Sequence, residues 1–284
     1  MILYGKPLME QMGEDLKKRV AALQMQKIQP TLAVVEVGMD PAVEGYRASI
    51  LARGESVGVT VRSYNTGESY KEAKSLLKNL AEDDTVHGIL LFLPLPESLR
   101  HRQEKLKSLI PPEKDVDGVT DGSAAGVYFG NGKGYCPCTA ESSIRLLEYY
   151  GIGFEGKRAA VVGRSAVIGK PAAMLLLERN ATVTICHSRT KDLAEATSQA
   201  DILIAAAGCA GLLGKDHVKP GASVVDVGTN WDEKLGKLVG DVRFAEAEPV
   251  AEHISPVPGG VGGVTAMVLM EHVVRAAEIA AEKK

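Results

Sequence analysis

Cysteine, surplus charge and long apolar runs are all scarce in this chain, and each shortage removes a class of protein. Its 284 residues hold four cysteines. Only Cys136 and Cys138 are close, in a C-x-C spacing that matches neither a zinc site nor a redox pair. Reduced cytosolic thiols packed in or near strands are therefore expected. The six histidines are scattered, and no metal is expected. A formal net charge of −3 gives no reason to expect nucleic acid as a partner. The longest apolar run, residues 202–213, is too short and too rich in Ala and Gly to span a bilayer. The opening MILYGKPLMEQMGEDLKKRV lacks a signal-peptide core, so the expectation is a cytoplasmic protein without a membrane role. What is present, 45% hydrophobic and 24% charged residues, is ordinary for a globular chain long enough for two domains.

Hydrophobic periodicity alternates between helix and strand. Helices are expected at 11–24 and 71–81, with a further helix carrying Tyr46. Strands are expected at 31–37, 60–64 and 87–93. The second half opens with a helix over 141–150, continues through strands near Ala159, Thr182, Ile202 and Ser223, and closes with a helix over 265–281. Such alternation implies an α/β fold, a parallel sheet under covering helices, with ligands at the carboxyl ends of its strands. Tyr46, Phe92 and Asp117 all fall at or after such ends.

The most informative stretch is 158–190, RAAVVGRSAVIGKPAAMLLLERNATVTICHSRT. It reads as strand, glycine turn, helix and second strand, so amides at the helix N-terminus would face a pyrophosphate. The spacing, Gly163-x5-Gly169, is not G-x-G-x-x-G, and a bare glycine turn is often only a tight turn. The second strand adds information. A site for NAD would place a carboxylate near its end to hold the ribose hydroxyls. This strand instead ends His187-Ser188-Arg189, with Arg164 in the turn, and a guanidinium fork matches a 2′-phosphate where a carboxylate would repel it. The cofactor expected is NADP, unless Arg164 and Arg189 are ordinary solvated charges.

Further blocks make the chain resemble the methylenetetrahydrofolate dehydrogenase/cyclohydrolases of one-carbon metabolism along nearly its whole length. They are GMDPAVEGY (38–46), GILLFLPLP (88–96), PPEKDVDG (111–118), PCT (137–139), DVGTN (226–230), VGDV (239–242) and PVPGGVGGVT (256–265). The resemblance implies two α/β domains: a folate-binding substrate domain over 1–140 and a Rossmann-like NAD(P)-binding domain over 141–264. A C-terminal helix, 265–284, returns to the first domain. It further implies an active site in the cleft between domains, a tetrahydrofolate one-carbon substrate and a homodimer. Tyr46 and Asp117 carry over as the catalytic pair, with Pro258, Gly259 and Gly260 lining the substrate pocket. Gly163, Arg164, Ser165, Gly169, Ser188, Arg189 and Thr229 carry over as cofactor-binding residues.

Departures from that pattern concern mechanism. Where the family has a Lys four residues after the Tyr, on the same helix face, this chain has Ile50. Where it has the Gln that hydrogen-bonds that Lys, this chain has Phe92. Removing Lys alone would strand a buried amide at about 1–3 kcal/mol, whereas replacing both partners can be nearly neutral, so the two changes read as one. Val43, Ala140 and Gly263-Val264 replace the family's Ser, Pro and Pro-Met. Ser123 replaces an Asn in what reads as a slightly longer loop. Hydride transfer from a folate methylene needs two rings held in register and no enzymic base. Opening the resulting methenyl ring with water needs proton management, worth about 10²–10⁴-fold, and the family assigns that to the missing Lys. The expected function is thus NADP-dependent oxidation of methylenetetrahydrofolate with cyclohydrolase activity weak or absent. The alternatives are a dehydrogenase acting on another one-carbon carrier and a non-catalytic folate- or nucleotide-binding homologue.

Overall fold

The structure, a computed structural model, describes residues 1–39, 43–233 and 235–283. Asp40, Pro41 and Ala42 of the GMDPAVEGY block, and Lys284 of the tail, lie outside the described residues. The chain divides into two compact units, one formed by Met1–Glu10 with Thr139–Thr265, the other by Gln11–Cys138 with Ala266–Lys284. They are called below the nucleotide unit and the substrate unit.

The first half runs α1 (Gly5–Met25), β1 (Thr31–Glu36), α2 (Glu44–Val57), β2 (Thr60–Asn65), α3 (Tyr70–Glu82), β3 (Gly88–Leu91), α4 (Gln103–Lys107) and α5 (Asp121–Phe129). β2, β1 and β3 form a parallel sheet in that order. Every residue of β1 and β3 is buried, the mark of a sheet covered on both faces, which is why the sequence there is continuous rather than alternating. α3 shows how a helix earns its place. Ser69 caps it by accepting from Glu72 N at 3.3 Å, and Ala73, Leu77 and Leu80 line one face and pack into the core under β1 and β3.

The second half runs α6 (Cys138–Tyr149), β4 (Arg158–Val162), α7 (Gly169–Glu178), β5 (Thr182–Cys186), α8 (Leu193–Thr197), β6 (Ile202–Ala205), β7 (Ser223–Asp226), β8 (Asn230–Asp232), β9 (Lys237–Val239), α9 (Phe244–Ala247), β10 (His253–Ile254) and α10 (Val261–Glu282). Five strands make a parallel sheet in the order β10-β7-β6-β4-β5, and β8 and β9 form a separate antiparallel pair. The order reverses at β4, which lies between β5 and β6. In open α/β sheets that reversal is where ligands bind.

By their contacts, residues 1–10 group with the nucleotide unit. Leu3 N bonds Ile254 O and Gly5 N bonds Gly259 O, both at 2.8 Å, so the N-terminal segment is tied to the strand-end loops of that unit. Ser123 lies in the first turn of α5 rather than in a loop, because Thr120 caps the helix by accepting from Ser123 N. Beyond Thr265 the long helix α10 packs in the substrate unit. Arg19 of α1 pairs bidentately with Glu278 at 2.8 and 2.7 Å and reaches Glu271 at 3.6 Å. Among the described residues, no helix is long and apolar enough to cross a membrane.

Candidate active site

In the substrate unit the sheet delivers its functional side chains at the carboxyl edge. Phe92 follows β3 directly and its N–H donates to Val35 O of β1 at 2.9 Å. Tyr46 stands in the first turn of α2, the helix that follows β1. The two rings meet edge to face, centroids 6.0 Å apart at 62°, within the favoured range for aromatic pairs. Ile50, four residues on from Tyr46 and so on the same helix face, has 0% of its surface exposed, and Phe92 has 8%. The position assigned to an ammonium in the resembled family is thus a dry apolar one.

Asp117 completes the cluster. Burial, with Asp115 nearby, pushes its carboxyl up to about 7, while a hydrogen bond from Cys138 and the proximity of His272 pull the other way. Tyr46 is raised above the ordinary phenol range, first by burial and then by the charges of Asp117 and Cys138, so its hydroxyl remains protonated and can only donate or accept a hydrogen bond. The His272 ring nitrogen Nδ1 lies 2.8 Å from Val116 O. Because a carbonyl only accepts, Nδ1 carries the proton.

Within the KDVDG block the structure adds a role for the first acid, to which the sequence assigned none. Asp115 is fully buried and accepts from Val119 N at 3.1 Å and Thr120 N at 2.8 Å, so it builds the turn that presents part-exposed Asp117. Ser123 is likewise structural, its Oγ accepting from Tyr135 N at 3.4 Å.

A carboxyl whose pKa is raised on folding favours the native state when protonated. Its stabilising effect is therefore full below the unfolded value, about 3.9, and is lost as pH rises through about 7. Asp117→Asn is not subject to that loss. The difference in unfolding free energy, variant minus parent, is expected to grow in the variant's favour by about 2–3 kcal/mol between pH 5 and pH 8. Parallel stability curves over that range would show that the carboxyl is not held near neutrality.

The nucleotide unit carries the other half of the site residues. Gly163 follows β4 with φ +138°, and a Cβ there would sit 2.1 Å from Ala206 O. A Cβ on Gly169 would meet Gly163 O at 2.1 Å and Arg164 N at 2.8 Å. Only glycine at both positions lets the start of α7 close onto the end of β4. Ser165 Oγ accepts from Ile168 N at 3.1 Å and Gly169 N at 3.5 Å, so it braces the turn. The register pairs Val162 with Cys186, which sets Arg164 and Ser188 two residues beyond paired strand ends, with Arg189 next. All three are exposed. His187 shapes that corner: its N–H donates to Thr190 Oγ1 at 2.8 Å and its Nδ1 accepts from Arg189 N at 3.1 Å. A narrow glycine cradle flanked by two exposed guanidinium groups and a hydroxyl fits a phosphorylated dinucleotide.

Two buried carboxylates organise the neighbouring loops, and sequence reasoning assigned them no role. Asp226 accepts from Gly228 N, Asp241 N and Val242 N at 2.9–3.0 Å. Asp241 accepts from Ala207 N at 2.6 Å, Gly208 N at 2.9 Å, Cys209 N at 2.8 Å and Asn230 Nδ2 at 2.9 Å. Exposed Thr229 sits between residues held by these acids. The paired blocks DVGTN and VGDV were the available signal. Cys209, held through its N–H, has an exposed side chain, unlike the packed thiols expected. Pro258, Gly259 and Gly260 also lie in this unit, where Gly260 N donates to Pro256 O at 2.9 Å.

One α/β unit with a glycine cradle at its switch point, and another presenting a part-exposed acid, a tyrosine and an apolar wall at its strand ends, define a pyridine-nucleotide dehydrogenase. Comparison with known proteins narrows the class. Residues 3–117 match the catalytic-domain model of tetrahydrofolate dehydrogenase/cyclohydrolase, and residues 137–281 match that family's NAD(P)-binding domain. The bifunctional protein FolD of Carboxydothermus hydrogenoformans is 47% identical over 98% of this chain and 97% of its own length. The crystal structure of the bifunctional FolD enzyme of Campylobacter jejuni is 41% identical with a TM-score of 0.94, covering 98% of this chain and 99% of that one. A Trypanosoma brucei dehydrogenase-cyclohydrolase, complexed with NADP and an inhibitor, is 30% identical with a TM-score of 0.92, covering 99% and 98%. The chain belongs to the tetrahydrofolate dehydrogenase/cyclohydrolase family.

Proposed function

We propose that the protein oxidises 5,10-methylenetetrahydrofolate to the methenyl form with NADP, and that its cyclohydrolase activity is weak or absent. The observation that carries the second half is the buried apolar pair Ile50 and Phe92 beside Tyr46, in a chain that keeps its dinucleotide turn. NADP, when bound, supplies the acceptor for the hydride that leaves the one-carbon unit. Gly163, Ser165 and Gly169 shape the cradle for its pyrophosphate, and Arg164, Ser188 and Arg189 hold its 2′-phosphate. The Asp117 carboxyl hydrogen-bonds the pterin side of the folate. Tyr46 and Phe92 form a ring-faced wall that orients the substrate and excludes water, which favours departure of hydride and disfavours hydration of the product.

One observation favours a slow residual hydrolysis. Of Tyr46 and Asp117, only Asp117 titrates near working pH, so it is the group able to take a proton from water. Incubation with methylenetetrahydrofolate and NADP, following both reduced nucleotide and folate products, tests the whole reading. Reduced nucleotide with accumulating methenyl product is the expected result. Prompt formyl product would overturn the claim about hydrolysis, and slow formyl product lost in Asp117→Asn would support the residual route. Absence of both signals would point instead to another carrier or to a binding protein.

Cofactor preference gives a separate check. Arg164→Ala is expected to weaken NADP binding roughly ten- to a hundredfold, the equivalent of one charge-assisted contact of about 1.5–3 kcal/mol, and to leave NAD nearly unchanged. Equal losses for both nucleotides would mean that Arg164 shapes the turn rather than reading the phosphate.

A further inference from the structure

The substrate unit contains a cavity of about 440 Å³ lined by residues that play no part in the site described above. Its wall includes Val86 and His87, which precede β3, so it opens at the amino ends of the strands, whereas Tyr46 and Phe92 lie at the carboxyl ends. Val86, Ala276 and Ile279 make an apolar floor. That volume is within the usual range for small-molecule sites.

The polar groups are few and of one dominant sign. Lys133, Arg275 and Lys283 line the cavity, are exposed, and make no ion pair among the described residues. Lys114 also lines it but is engaged, its Nζ donating to Leu80 O at 3.1 Å and Asp83 O at 2.8 Å. Asp84 and Glu113 are the only acids in the wall. Cations thus exceed acids at this wall in a chain whose net charge is −3.

Tyr135 is the second indication. The residue is 5% exposed, yet among the described residues its hydroxyl has no hydrogen-bond partner. No fully buried side-chain polar atom of the described residues is left without a partner, so this hydroxyl reaches solvent, and Tyr135 lines the cavity. Burial raises it to about 12, with Arg275 pulling the other way, so it stays protonated and available as a donor. The Arg275 guanidinium lies 5.7 Å from the ring centroid, and the ring also packs against His272, 4.8 Å between centroids. The ring is thus fixed and the hydroxyl is unspent.

We propose that this cavity is a second ligand site, taking a small anion carried on an aromatic or apolar body. The body rests on Val86, Ala276 and Ile279, the anion meets Arg275, Lys133 and Lys283, and the Tyr135 hydroxyl donates to one of its oxygens. Phenyl phosphate is a suitable probe, titrated calorimetrically into the full chain held at saturating NADP so that the nucleotide cradle cannot take up the phosphate.

The expected result is saturable binding that Arg275→Ala weakens by about tenfold or more, Tyr135→Phe weakens by about threefold or more, and Arg164→Ala leaves unchanged. Phenol and inorganic phosphate, each offering half of the chemistry, are expected to bind at least about tenfold more weakly than phenyl phosphate. Absence of saturable binding, or affinity unaffected by Arg275→Ala, would overturn the proposal. So would inorganic phosphate binding as tightly as phenyl phosphate, since the apolar floor would then contribute nothing. Arg275 is exposed but lies over the Tyr135 ring, so Arg275→Lys, which keeps a cation there, is expected to lose less than Arg275→Ala, and a native-like unfolding midpoint for both variants confirms that binding is what changed.

Discussion

Replacing Ile50 with Lys and Phe92 with Gln together is expected to raise hydrolysis of methenyltetrahydrofolate by about a hundredfold or more over the parent chain, the lower end of what general acid/base help contributes. On the proposed function, Tyr46 and Asp117 would position the ring, one on the same face of α2 as residue 50 and the other on the turn built by Asp115. Ile50→Lys alone is expected to do much less. An ammonium set in a position with 0% exposure would be desolvated, with its pKa lowered and no amide to orient it. Stability is expected to fall in the single variant and to recover in part in the double one. The measurement is formyl product formed from added methenyl substrate, with dehydrogenase turnover as the control for folding. A folded double variant that still dehydrogenates but does not hydrolyse would sink the idea that this pair alone decides the activity. It would shift attention to Val43, Ala140, Ser123 and Gly263-Val264.

The second large effect concerns stability. Asp241→Ala is expected to cost about 3–5 kcal/mol, because it leaves several converging donors in a buried position without an acceptor. Asp241 is 0% exposed and receives three backbone N–H groups and the Asn230 amide. Asp241→Asn, which keeps one carbonyl oxygen, is expected to lose about half as much. Urea unfolding followed by far-ultraviolet circular dichroism reads the effect. A loss below about 1 kcal/mol would show that the loops after β6 and β7 hold themselves without the acid.

Much of the fold was legible because the signals were local. The strand expected over 31–37 is β1 at Thr31–Glu36, and the helix expected over 71–81 is α3 at Tyr70–Glu82. Both carry an unbroken apolar pattern with a clear punctuation at each end. α1 begins six residues earlier than expected, at Gly5, since its first turns lack the apolar spacing that marks the rest. α5, β10 and the pair β8–β9 were not anticipated, being short elements set by tertiary hydrogen bonds rather than by periodicity.

Within the site, the glycine turn and the Tyr46, Ile50, Phe92 and Asp117 set were visible as residue types. Residue type and spacing alone do not separate an acid left free for a site from one that builds the loop; only the family resemblance singled out Asp117. Asp115 and Asp117 are identical in sequence terms, as are Asp226 and Asp241. Their roles differ only through which backbone N–H groups surround them, and that is decided by chain segments distant in sequence. Tyr135 was silent for the same reason, because its ring is fixed by α10, well over a hundred residues away.

The path of the chain between the two units bears on its synthesis. Residues 1–10 group with the nucleotide unit but are made before the substrate unit, and the remainder of the nucleotide unit follows only after Cys138; the substrate unit in turn gains Ala266–Lys284 only after the nucleotide unit has been made. On the ribosome, therefore, the β2-β1-β3 sheet emerges without the segment that brings Met270 near Gly54 and Val273 near Gly88. Its folding core waits for α10, with apolar surface uncovered for the time needed to make more than a hundred residues, on the order of ten seconds. Neither unit is a contiguous cassette, so an exchange of nucleotide units between relatives requires several coordinated joins rather than one.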